Sequence, residues 1–137
     1  MSEQENTKLV QRVYGNFKGG DIKSLLDSLS DDVSWQLPEI ENVPFSGKRQ
    51  GREKVAQFFT SVAESQEVLQ FEPQEFIAEG NKVVALGHYS WRVKSTGRVF
   101  TGNWAHVFTV QEGRIVAFHE YTDTAAAAGA YQRAAHA

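Results

Sequence analysis

The run RVFTGNWAHVFTVQEGRIVAFHEYTD, residues 98–123, reads as two strands folded about a turn at Gln111-Glu112-Gly113. Its even positions before the turn are Phe100, Gly102, Trp104, His106, Phe108 and Val110, whereas Val99, Thr101, Asn103, Ala105, Val107 and Thr109 are smaller. Successive side chains of a strand point to opposite faces, so the bulky set is expected to face the interior. A three-residue turn with Gly113 left-handed pairs Val110 with Arg114, Trp104 with Glu120 and His106 with Phe118. A two-residue turn at Glu112-Gly113 would instead carry His119 and Tyr121 inward, because a one-residue slip reverses a strand's faces. Gly113 suits the bulge position, and the three-residue turn points Val116 and Phe118 inward, which favours it.

Working outward, segments near 67–78 and 82–94 are also rich in Val, Phe, Tyr and Trp, with turns at Glu79-Gly80-Asn81 and Ser95-Thr96-Gly97. A two-residue turn at Thr96-Gly97 pairs Tyr89 with Trp104, Trp91 with Gly102 and Gly87 with His106. Upstream, Leu9, Val10, Val13, Tyr14 and Phe17 recur at helical spacing before Gly19-Gly20. Asp21 caps a short second helix with Ile22, Leu25, Leu26 and Leu29 on one face. Val33, Trp35 and Leu37 alternate as a strand stopped by Pro38, residues 39–51 read as a loop, and Val55, Phe58, Phe59 and Val62 mark a third helix. Residues 125–135 are alanine-rich and either form a terminal helix or fray. The order α-α-β-α-β-β-β-β predicts an α+β fold in one domain, residues 1–137.

Composition excludes several functions. Among 137 residues the net charge is −3 and the basic residues are scattered, which argues against nucleic acid as a partner. There is no cysteine, so disulfides, thiolate metal sites and cysteine nucleophiles are ruled out. His88, His119 and His136 do not converge, and no metal site is expected. The polar start Met1 to Lys8 and the lack of a run of roughly 20 apolar residues predict neither a signal peptide nor membrane association, and a cytoplasmic protein.

The inferred inner wall comprises Trp35, Tyr89, Trp91, Trp104, His106, Phe118 and Glu120, with Tyr14 joining it from the first helix. Gly87 and Gly102 between large neighbours leave room for a cavity, with Gly87 opening space beside the imidazole. Glu120, buried against Trp104 and Phe118, would have its charged form disfavoured and its pKa raised, which suits an acid/base role; a structural carboxylate bonded to His106 or Arg92 is the competing reading. His106 would orient the acid or donate to a substrate oxygen. Asp123 is expected to cap the terminal segment.

Gly19-Gly20-Asp21, Gly51-Arg52, Gly113-Arg114-Ile115 and Glu120-Tyr121-Thr122-Asp123, in this order and spacing, resemble the NTF2-like superfamily and its SnoaL-like, ketosteroid-isomerase-related group over residues 7–128. The resemblance implies a cone-shaped fold, three N-terminal helices packed on a curved, mostly antiparallel sheet, and a homodimer through the outer sheet face. It also implies no cofactor. The ketosteroid isomerases' general-base Asp before a Pro is Leu37 here, and their helix-1 Tyr falls at Val13. Tyr14 is one residue, about 100° of helix, out of phase. Of the Arg and two Asp used by limonene-epoxide hydrolases, the matching positions hold Gly87, Tyr89 and Glu120. The polyketide cyclases, needing one acid/base in an apolar chamber, are matched best by Glu120 beside His106. The expected function is therefore binding of a small apolar carbonyl-bearing ring compound. Cofactor-independent cyclase, isomerase or dehydratase chemistry would follow, with Glu120 and His106 catalytic. A non-catalytic binding protein or a dimeric interaction module is the alternative.

Overall fold

The computed structural model describes residues 2–132. Its elements are helix α1 (Glu3–Lys18), helix α2 (Ile22–Asp27), strand β1 (Leu29–Gln36), strand β2 (Lys48–Gln50), helix α3 (Arg52–Ser65), strands β3 (Gln66–Glu79), β4 (Lys82–Val93), β5 (Val99–Gln111) and β6 (Arg114–Thr122), and helix α4 (Thr124–Tyr131). The six strands form one sheet in the order β2-β1-β6-β5-β4-β3. Only β1 and β6 run parallel. The helices cover one face, the α+β arrangement read from the sequence.

Local signals explain the helix ends. Ser2 and Glu5 form a reciprocal capping box, the Ser2 hydroxyl accepting from the Glu5 N–H at 3.1 Å, so α1 begins six residues before its first apolar position, Leu9. Gly20, at φ 76°, ends the turn after α1, and Asp21 caps α2 by accepting from the Ser24 N–H. Leu9, Val10, Val13 and Tyr14 are the apolar face of α1, and Val55, Phe58 and Val62 that of α3. Both pack on the inner sheet face around the fully buried Phe108, Leu29 and Ile115.

Three local readings are corrected. The loop 39–51 contains β2, which has no alternation of its own and exists because Lys48, Arg49 and Gln50 pair with Gln36, Trp35 and Ser34. The β4–β5 register is shifted by two residues. Val93 hydrogen-bonds Arg98 across the longer turn Lys94–Gly97, and Tyr89 faces Gly102, Gly87 faces Trp104 and Ala85 faces His106. A shift of two preserves every face but changes every partner. Third, the β5–β6 turn has two residues, with Glu112 at φ 50° and Gly113 at φ 76°, and Gln111 pairs with Arg114.

That third correction has a compensation. Val110 pairs with Ile115 but Thr109 with Ala117, so Val116 is an extra, bulged residue. The bulge undoes the reversal a two-residue turn alone would cause, and Phe118 and Glu120 remain inward opposite Phe108 and His106. The alanine-rich end forms α4, capped by Asp123, whose carboxylate accepts from the Ala126 N–H at 3.0 Å. Residues 133–135 and His136 lie outside the described residues. Among the described residues no helix is long and apolar enough to cross a membrane.

Candidate functional site

His106 and Glu120 are directly paired across β5 and β6 on the inner face. The imidazole Nε2 lies 2.8 Å from Glu120 Oε2, with the two side chains 5% and 13% exposed. On its other side, Nδ1 is 2.6 Å from the Tyr14 hydroxyl. Burial, and secondarily the negative charge of Glu120, push the Tyr14 hydroxyl well above the ordinary phenol range. Tyr14 therefore holds its proton and donates it to Nδ1. With Nδ1 accepting from the phenol, the tautomer that carries its proton on Nε2 donates to Glu120 Oε2. Glu120 Oε1 has no hydrogen-bond partner among the described residues.

Tyr14 reaches this chain from α1, despite its offset from the position where the resemblance placed a helical Tyr. Tyr14 lies on the buried face of α1 with Leu9, Val10 and Val13, so its side chain is directed at the sheet. Trp104 stacks on the imidazole with ring centroids 4.0 Å apart and 18° between planes, and Phe118 meets the ring's edge region at 4.8 Å. The imidazole is thus fixed by two hydrogen bonds and two aromatic neighbours.

An apolar cavity of about 100 Å³ adjoins the pair. Tyr14, Trp35, Tyr89, Trp91, His106, Phe118 and Glu120 all contribute to its wall. Trp104 does not. The register places its indole over Gly87, where an added Cβ would lie 2.2 Å from Trp104 Cζ2. The space expected beside Gly87 is therefore filled, and Trp104 backs His106 instead of lining the cavity. Arg92 pairs with Glu67 at 2.9 Å and takes no part. His88 bonds Asn103 and His119 stacks on Tyr121, both on the outer face.

Other wall residues escape a reading of separate strands. Phe58 and Phe59 of α3, Phe71 of β3, Phe45 from the 39–51 loop and Tyr131 of α4 all converge on the cavity. Their sequence signal is apolarity alone, which does not say what they face. Tyr89 also bonds the Thr122 hydroxyl, and its own hydroxyl is raised by burial first and by Glu120 next, the Thr122 bond partly opposing. Among the described residues no three His, Asp or Glu side chains are placed to hold a metal ion.

Helices packed on one face of a mostly antiparallel sheet, with an aromatic cavity and one buried acid–imidazole pair in its wall, define a class of α+β fold. Within it, this chain belongs to the SnoaL-like domain family of the NTF2-like superfamily, whose SnoaL-like domain profile matches residues 10–118. It is similar to an NTF2-like protein of Burkholderia xenovorans at 34% identity, covering 96% of this chain and 99% of that one, with a TM-score of 0.87. An NTF2-like protein of unknown function from Burkholderia pseudomallei is 31% identical over 91% of this chain and 94% of its own, with a TM-score of 0.82. TerC, co-crystallised with polyporic acid, shares the fold at 24% identity over 93% of this chain and 98% of its own, with a TM-score of 0.82. Among curated proteins no match is found.

Proposed function

We propose that this chain, acting as one cytoplasmic domain, binds a small, mainly apolar, carbonyl-bearing ring compound in the cavity and moves a proton on it with Glu120. The observation that carries the reading is the buried chain Tyr14–His106–Glu120, which ends in an uncommitted carboxylate oxygen at the cavity wall. Glu120 Oε1 would take a proton from the carbon next to the carbonyl, and the C–H electron pair would move onto the carbonyl oxygen as an enolate. Returning that proton elsewhere gives an isomer. Attack of the enolate carbon on a second carbonyl gives a ring, and loss of a β-hydroxyl gives a dehydrated product. The substrate's own carbonyl is the electron sink, so the residues supply acid/base catalysis and orientation without a cofactor. Tyr14 and His106 act on Glu120 as positioning residues, fixing one carboxylate oxygen so that the other meets the ligand.

The second reading is non-catalytic binding or a dimeric interaction module, favoured by the cavity's small size. About 100 Å³ is below the 300–1,000 Å³ of common ligand pockets. For the outer face we propose a second copy of this chain, since Ile77 and Tyr121 are half exposed there beside Val84 and Leu86.

A thermal-shift screen of ring ketones and polyketide fragments on wild type and Glu120→Gln separates the readings. A ligand at 100 times its dissociation constant adds about 2.7 kcal/mol. Stabilisation with turnover that falls at least 100-fold in Glu120→Gln supports the enzyme. Stabilisation without turnover, indifferent to the substitution, supports a carrier. No stabilisation by any compound favours the interaction module, whose dimer light scattering would detect.

A further inference from the structure

The cavity wall carries a second polar pair, unrelated to the His106–Glu120 couple. Gln66, at the α3–β3 junction, is only 5% exposed, and its Oε1 accepts a hydrogen bond from the Tyr131 hydroxyl. Both residues line the cavity among Val62, Trp91 and Phe100. The amide nitrogen of Gln66 has no partner among the described residues, and it is not sealed in as the indole nitrogens of Trp35 and Trp104 are. A buried amide with uncommitted N–H donors is costly to leave dry.

Its place relative to Glu120 is set by the sheet. Gln66 pairs with Val93, and His106 with Ala85, eight residues away along β4. The two polar groups therefore enter the same cavity from opposite ends of the inner row of β4. Tyr131 also borders a surface cleft lined by Asn42, Pro44, Glu64, Ser65 and Ser95. The backbone of α4 is tied down, because Thr96 donates to the Ala130 carbonyl and Arg98 to those of Gly129 and Gln132. The phenol ring packs against Phe45 and Phe100 and hydrogen-bonds Gln66.

We propose that Gln66 and Tyr131 form a second polar subsite, selecting an elongated ring compound that carries a hydroxyl at the end remote from Glu120. The inference rests on the cavity reading above and specifies the ligand's other end. A hydroxyl matches both groups: its oxygen accepts from Gln66 Nε2 while its proton goes to the Tyr131 oxygen. A carbonyl satisfies only the first, and a hydrocarbon leaves the amide without a partner. A ligand longer than a small ring would have to displace the Tyr131 ring toward the cleft that it also borders.

Binding of phenol, para-phenylphenol and para,para′-biphenol, followed by quenching of tryptophan fluorescence, tests this. The second hydroxyl is expected to make biphenol bind roughly three- to tenfold tighter than phenylphenol. Gln66→Leu should reduce that ratio to about one, and Tyr131→Phe, which keeps the ring, should reduce it in part and serves alone if Gln66→Leu fails to fold. Equal affinity of the two biphenyls for wild type, or an unchanged ratio in both variants, overturns the subsite while leaving the cavity reading intact. Binding of phenol alone has the same meaning. If none of the three binds, the subsite falls, and the ring-ketone screen above decides the cavity reading by itself.

Discussion

The Tyr14 hydroxyl and His106 Nδ1 stand 2.6 Å apart, joining the first helix to the centre of the sheet across 92 residues of sequence. A phenol that donates to Nδ1 selects the Nε2–H tautomer, whose proton faces Glu120 Oε2 at 2.8 Å. Tyr14→Phe keeps the ring packing against Phe71, Phe76, Trp104 and Phe108 but leaves a buried nitrogen without a partner. The expected cost is about 1–3 kcal/mol. A change in the ¹⁵N shifts of His106 should accompany it, which loss of packing elsewhere would not produce.

Gly87 and Gly102 face inward from neighbouring strands but differ in tolerance. A Cβ at Gly87 would sit 2.2 Å from the Trp104 ring and 2.6 Å from the Glu72 carbonyl oxygen, whereas one at Gly102 would make only ordinary contacts, 3.7 Å from Tyr89. Gly87→Ala should therefore destabilise by about 1–3 kcal/mol or more, and Gly102→Ala by less than about 0.5 kcal/mol. Urea midpoints of the two variants measure the contrast.

Alkaline stability follows from three buried phenols. Burial raises Tyr14, Tyr89 and Tyr131 above the ordinary phenol pKa, with Glu120 adding to the first two. The unfolded chain releases these protons near pH 10 while the folded one retains them. Their contribution to stability is therefore complete below about pH 10 and is lost as pH rises beyond it, since the unfolded state then binds fewer protons. Phenolate absorbance from these three should appear together with unfolding in one cooperative step. Ionisation of all three in a still-folded protein would contradict their burial.

Asp123 links β6 to the helix that bears Tyr131. Asp123→Ala removes the N-cap of α4 and should cost about 1 kcal/mol, whereas Asp123→Asn should retain most of the cap. Hydrogen exchange of the Ala126–Ala128 amides should quicken in the first variant alone.

Turns of two different lengths both bring Glu120 to the inner face. The three-residue turn expected at Gln111-Glu112-Gly113 and the observed two-residue turn with a bulge at Val116 insert the same single residue in different places. Alternation records parity, and an extra residue anywhere between His106 and Glu120 restores it. Partner identity needs more than parity, which is why Trp104 was expected opposite Glu120 and lies opposite Thr122. The same limit applies to Gly87, where the indole that fills its space belongs to a strand whose register only the turn Lys94–Gly97 sets.

What the amino-acid sequence determined by itself was local: helix faces such as Leu9–Val13, caps at Asp21 and Asp123, strand alternation over 98–110, and with them the α+β class. These rest on periodicity and on hydrogen bonds spanning three or four residues. The tertiary structure alone decided what meets across the interior. Tyr14 reaches His106, Tyr131 reaches Gln66 and Trp104 covers Gly87 because strand register and helix docking bring together groups 92, 65 and 17 positions apart. No local pattern encodes such meetings, since they depend on how many residues each turn and bulge consumes.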